Sequence, residues 1–372
     1  MSMKTLGIAG IFVLLSLGCG PSEPGINFET RYVVMDLEDQ TYQLAERPLE
    51  TLESVVEVRG SALTMRHGGE LYAGVSAPET AEEFEQALLV RDDIAPQLDF
   101  EMQSNVVVPF DTDSLMMLTA YHHVERAKIY FEGLDLQDSV GPLPTYYRPT
   151  VDTGPILLPI PLLTDNAAYA YTLDAFLLPP QFLLSELPLA ANRGVMVHEY
   201  SHAVFNRVVY NDERVPEYLF EEWPNAAINE LRSLDEGVAD IFGALETGDA
   251  NFIEPSITAD FGIDRDLAVL RTLDQGLLDT AQNQDELTYN PYDLGSVVAS
   301  TIWSLLDVFS AEELGALVLD SLYAIRGPGP DFRIVSFFNA FVNASPAAER
   351  THVCERFRER LTPLEASLEC AQ

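Results

Sequence analysis

Lysine is almost absent from this chain. It occurs only at Lys4 and Lys128, and 21 basic residues face 59 acidic ones. The formal net charge of -38 repels nucleic-acid phosphates and anionic lipid headgroups, so nucleic-acid binding is set aside. Cysteine is scarce as well, at Cys19, Cys354 and Cys370 only. No apolar run beyond the N-terminus resembles a membrane span, and there is no internal repeat or low-complexity tract. What is present is apolar bulk. The 372 residues are 47% hydrophobic and 22% charged, which argues against general disorder and allows one large domain or two lobes.

The first residues read as a targeting segment. Lys4 gives a positive start, and the apolar run 6–17 is too short to cross a bilayer. It ends in Leu15-Ser16-Leu17-Gly18-Cys19, which resembles a bacterial lipoprotein signal, although Ser16 stands where that signal usually has leucine. The resemblance implies a signal peptide over 1–18, lipidation at Cys19 and a short tether over 19–27. The body is then expected as an exported monomer in the bacterial cell envelope, touching a membrane only through its lipid. An ordinary cleaved signal is the alternative. With Cys19 modified, an even pair remains, and export permits a disulfide between Cys354 and Cys370; two free thiols are the other reading.

Residues 28–113 read as β-rich. Runs at 31–35, 54–58 and 105–110 look like strands, and 81–90 looks like a helix capped by Thr80. Helical periodicity runs from Leu115 through Tyr130 to a stop at Gly133. The stretch 145–180 is strand-rich, with prolines suited to sheet edges. Beyond Pro188 the chain turns helical, with helices expected over 191–209, 225–246, 294–308, 311–325, 331–342 and 350–361. Strands first and helices later predict an α+β fold, with a sheet-containing N-terminal lobe and a helical lobe over 225–372.

The strongest chemical signal is His198-Glu199-Tyr200-Ser201-His202. Residues four apart share one helix face, so both imidazoles can bind one zinc ion with Glu199 beside them as general base. Zinc lowers the pKa of its water toward neutrality, and the glutamate takes the proton as that water attacks a carbonyl. A structural helix that merely carries two histidines is the bland alternative. Catalytic zinc sites usually have three protein ligands. Val208 stands where a metzincin would have its third histidine, so a downstream carboxylate is expected. Glu221, Glu222, Glu230 and Glu236 compete. Glu236 alone has an acid four residues on, Asp240, placed to accept the free N–H of a zinc-bound histidine.

These motifs resemble the gluzincin metallopeptidases, particularly the thermolysin and fungalysin groups. His198 to His202 followed by Asn206-Arg207 is similar to fungalysins, and Asp240-Ile241-Phe242-Gly243 is similar to thermolysins. The resemblance spans residues 115–306 and implies a zincin-like catalytic region over 114–372, with the active-site cleft between the lobes. The ligand spacing is longer than in thermolysin, which points to an inserted loop over 210–223. Asn166-Ala167-Ala168-Tyr169 is similar to the edge-strand Asn-Ala motif. By that likeness Asn166 bonds the substrate backbone and Ala167 pairs with it as an added strand; a turn residue entering a strand is the other reading. Tyr292 stands where fungalysins have a histidine, which makes it a candidate oxyanion donor beside Tyr289 and Tyr218.

Adjacent helical residues point to different faces, so His122 and His123 are expected to pack rather than share an ion. His67 and His352 stand alone. Asp111-Thr112-Asp113 and the acids over 260–266 lack EF-hand spacing, so calcium has no motif behind it. The leading expectation is zinc-dependent cleavage of internal bonds in a peptide or protein substrate. A narrow-specificity exopeptidase and a non-catalytic surface lipoprotein are the alternatives, and the intact Glu199 speaks against the last. The length leaves little room for a long inhibitory pro-segment, so 28–110 is expected to belong to the sheet lobe.

Overall fold

The computed structural model describes residues 29–74, 87–152, 164–182, 187–211, 216–219, 221–257 and 265–370. The expected signal, Cys19 and the tether lie outside the described residues, as do Thr80 and residues 81–86 of the expected helix.

Alternation builds the first sheet. In β1 (Arg31–Glu38), Tyr32, Val34 and Asp36 turn inward between more exposed neighbours. β2 (Thr41–Arg47) returns antiparallel through Asp39 and Gln40, both at positive φ, the geometry that matches strand twist in a two-residue hairpin. The second sheet begins with β3 (Leu52–Ser54), β4 (Arg59–Gly60) and the long β5 (Leu63–Ala73), which β6 (Leu88–Ile94) joins antiparallel. β7 (Phe100–Gln103) and β8 (Val106–Pro109) complete the first sheet in the order β2-β1-β8-β7. β9 (Leu143–Tyr147), β10 (Thr150–Asp152), β11 (Ala168–Ala170) and β12 (Ala175–Leu178) complete the second. Its path is β11-β12-β9-β5-β4-β3, with β6 and β10 also on β5 and β11 at one end.

Two expectations in this region are corrected. Residues 88–90 belong to β6 rather than to a helix, because Leu88 buries against Leu71 and Leu177 and the segment pairs with β5. Residues 55–58 form a turn rather than a strand. Val55 and Val58 are fully buried, and the Ser54 hydroxyl accepts from Glu57 N at 3.2 Å.

The helices follow their caps. α1 (Thr112–Gly133) starts at Asp111, whose side chain accepts from Ser114 N, while Asp113 pairs with Arg148 at 2.9 Å. The acids considered for calcium there are thus engaged in capping and ion pairing. α2 (Arg193–Val208) is capped by Asn192. α3 (Asn225–Thr247) ends at Gly248 in the left-handed region, where glycine carries no steric penalty. The short α4 (Gln275–Asn283) was not expected; it is nine residues long and buries only Leu278 and Ala281. α5 (Pro291–Trp303) has Asn290 as cap and proline in its first turn, and α6 (Ala311–Ala324) opens with a Ser310/Glu313 capping box. α7 (Val335–Ala344) and α8 (Arg350–Arg360) complete the helical region, and Cys354 is disulfide-bonded to Cys370 across a Cα separation of 5.8 Å. Among the described residues, no helix is long and apolar enough to cross a membrane.

The architecture is α+β, with the sheets toward the N-terminus and the helices toward the C-terminus. Phe131 on α1 stacks on Tyr200 of α2 at 5.6 Å and meets Phe242 of α3 edge-on at 4.7 Å, which joins three helices in one core. Glycines set the spacing around α3. A Cβ on Gly237 would lie 2.6 Å from the Gly295 carbonyl of α5, and one on Gly243 would lie 2.9 Å from the Gly194 carbonyl of α2. These approaches fix the backbones that carry the site.

Candidate metal centre and active site

Three side chains from two helices converge. His198 and His202 lie one turn apart on α2, and Glu236 reaches them from α3. The Nε2 atoms of the histidines are 3.1 Å apart, and Glu236 Oε2 lies 3.4 Å from His198 and 3.6 Å from His202. A tetrahedral ion with bonds of about 2.0–2.1 Å requires ligand separations of about 3.3 Å, which these distances match. Glu236 Oε2 is buried and has no hydrogen-bond donor, as expected of an oxygen whose partner is a cation. Nitrogen and carboxylate donors in this number suit zinc. The residues present therefore fit the ion.

Each histidine is held from behind. His202 Nδ1 lies 2.8 Å from Asp235 Oδ1, and His198 Nδ1 lies 3.0 Å from Asp240 Oδ1. An N–H donated there leaves each Nε2 as a bare donor facing the centre. Tyr171 donates its hydroxyl to Asp235, and Arg265 clamps both oxygens of Asp240. Burial alone would lower the His202 pKa, but Asp235 and Glu236 outweigh it and push it up to about 10. Burial would raise Glu236 and Asp240; the histidines for the first, and chiefly Arg265 for the second, bring each down to about 2. Glu236 and Asp240 are thus held ionised beside the imidazoles, whereas burial pushes the Asp235 carboxyl up.

Glu199 sits beside the histidines. Burial raises its pKa, and its Oε2 accepts the Tyr169 backbone N–H from β11 at 2.7 Å. The β11–β12 hairpin is braced from α2. Asn206 donates to the Tyr169 hydroxyl at 2.9 Å, and Arg207 pairs with Asp174 at 2.5 Å. A cleft of about 520 Å³ opens here. Asn166, Ala167, His198, Glu199, Glu236 and Tyr292 are among the residues that line it.

The competing candidates find other work. Glu230 accepts from Ile334 N at 2.6 Å and from Gln282 at 2.9 Å, so it ties α3 to the entrance of α7. Glu221 and Glu222 are exposed. The Tyr289 hydroxyl is bonded to Ser233 at 2.9 Å, whereas Tyr218 and Tyr292 both line the cleft. Burial pushes the Tyr292 phenol up, so it stays protonated and able to donate, and the Arg265 guanidinium lies 4.4 Å from its ring centroid. Asp235, Tyr171 and Arg265 are the site residues that sequence reasoning missed. Asp235 adjoins Glu236 and could have been read as the second histidine's partner. Nothing local marks Tyr171 or Arg265.

No family model matches the chain, and no curated protein matches it in sequence. Among solved structures it is similar to the precursor of protealysin, a metalloproteinase from Serratia proteamaculans. That likeness has 14% identity and a TM-score of 0.44, over 87% of this chain and 92% of that one. It is too distant to carry an argument about chemistry, which rests on the side chains above.

Proposed function

We propose that this chain is a zinc-dependent peptidase that cleaves internal peptide bonds outside the cytoplasm. The observation that carries the reading is the convergence of His198, His202 and Glu236 beside Glu199, in a cleft bordered by the end strand of a sheet. His198, His202 and Glu236 would hold the ion, with Asp240 and Asp235 fixing the imidazoles. Zinc, when bound, polarises the scissile carbonyl and makes water a stronger acid.

The chain's own groups supply the rest. An extended substrate lies along β11, with Asn166 and Ala167 holding its backbone as an added strand. Glu199, fixed by the Tyr169 N–H, takes a proton from the attacking water and passes it to the departing amine. The Tyr292 hydroxyl donates to the developing oxyanion. Residues 1–18 serve as the signal and Cys19 as the lipidated anchor, so the enzyme works as a monomer in the cell envelope.

The test is cleavage of an unfolded protein by the full chain. Loss of cleavage with a chelator and its return with zinc are expected. A folded, zinc-loaded chain that cleaves neither unfolded proteins nor short peptides would overturn the proposal.

A further inference from the structure

A second cluster of metal-ligating side chains lies apart from the first. Asp36 on β1 meets His122 and His123 on α1, and one donor atom from each lies within 4.8 Å of the others. All three residues are buried, His123 completely. Adjacent positions on a helix diverge at the backbone, yet the two rings approach to 5.3 Å between centroids, tilted by 46°.

The two histidines are hydrogen-bonded as ligands are, while Asp36 Oδ1 also accepts from Leu37 N at 2.9 Å. His123 Nε2 lies 3.1 Å from the Ala191 carbonyl, which can only accept, so this nitrogen carries the proton. His123 Nδ1 is then a bare lone pair, and it is buried with no hydrogen-bond partner. This is the arrangement in which one ring nitrogen donates to a backbone carbonyl and the other is left for a metal. Neither nitrogen of His122 has a hydrogen-bond partner. Its Nε2 faces Asp36 Oδ1 at 3.4 Å, longer than an ordinary N–H···O bond and close to the ligand spacing of about 3.3 Å around zinc. Asp36 is held in place by Arg47, which donates to its other oxygen at 2.6 Å. The Arg193 charge on this side is met by Glu246.

We propose that Asp36, His122 and His123 form a second, structural site for a zinc-class divalent ion. Two imidazoles and one carboxylate select such an ion over calcium or magnesium, which prefer all-oxygen shells. Bound there, the ion joins β1 to α1. Through the Ala191 bond it also stiffens the segment that leads into Asn192, the cap of the active-site helix.

The test uses the full chain with zinc as probe and does not depend on catalysis. A chain carrying His198→Ala and His202→Ala, stripped and then equilibrated with zinc, is expected to retain one ion. Zinc at about a hundredfold excess over its dissociation constant should raise its melting temperature by about 3 °C. Adding His122→Gln should abolish both effects. Zinc that stays bound after His122→Gln sits elsewhere on the surface and overturns the proposal, as does a folded double variant that takes up none. Should the double variant not fold, the unmodified chain decides, with two ions per chain supporting the proposal and one overturning it.

Discussion

The two histidine pairs of this chain are made of the same residue type and sit on neighbouring helices, yet they announce themselves very differently. His198 and His202 are four apart, so one helix face brings their Nε2 atoms to 3.1 Å before any other element contributes. His122 and His123 are adjacent, and only Asp36 from a distant strand makes them a cluster. A site written along one helix survives in the sequence as a motif, whereas a site assembled across a sheet and a helix leaves no local trace. The surroundings differ as well. The α2 pair has a carboxylate behind each ring, while the α1 pair has buried nitrogens without hydrogen-bond partners.

The largest expected effect breaks that comparison on its chemical side. Glu199→Gln should lower cleavage by at least about a thousandfold while zinc content stays unchanged, since the general base is removed and the ligands remain. His122→Gln, measured beside it at equal bound catalytic zinc, should leave cleavage nearly intact. Parallel loss in both would mean that the α1 pair serves the reaction. Next comes the support behind the rings. Asp235→Ala should weaken zinc binding by about 10- to 100-fold in a competition titration against a chelator. An unchanged affinity would show that His202 needs no carboxylate to orient it.

Smaller effects test the frame. Gly237→Val puts a side chain where even a Cβ lies 2.6 Å from the Gly295 carbonyl, and should cost about 3 kcal/mol in denaturant unfolding. Glu230→Ala strips the acceptor from Ile334 N and should cost about 2 kcal/mol while zinc content holds, which separates the structural glutamate from the ligand. Acid provides the last test. Despite its burial, Asp240 is depressed to about 2 in the fold, chiefly by Arg265, so it contributes stability above the ordinary carboxylate pKa. In the chelated chain that contribution should fade as pH falls through about 2, and Arg265→Gln should shift its loss to higher pH. Identical acid unfolding curves for the two chains would count against the clamp.

How much of this was legible follows the same division between local and distant. The α+β order, α1 to α3 and the motif on α2 were written in periodicity and caps, and Glu236 could be singled out because Asp240 follows it by one helical turn. The strand β6 was misread because its helix-favouring neighbours gave no hint of Leu71 and Leu177, to which Leu88 packs. Helix α4 escaped because its apolar stripe spans only nine residues and two buried side chains, too short a segment to stand out from the polar stretch around it. Arg265 and Tyr171 each meet α3 from far along the chain, so nothing near them marked either as a support for the zinc ligands.

The central claim concerns where the ion sits, and anomalous diffraction at the zinc edge from crystals of the full chain tests it most directly. The expected result is a peak about 2.1 Å from His198 Nε2, His202 Nε2 and Glu236 Oε2. A zinc-loaded chain with no peak among those three atoms would contradict the account.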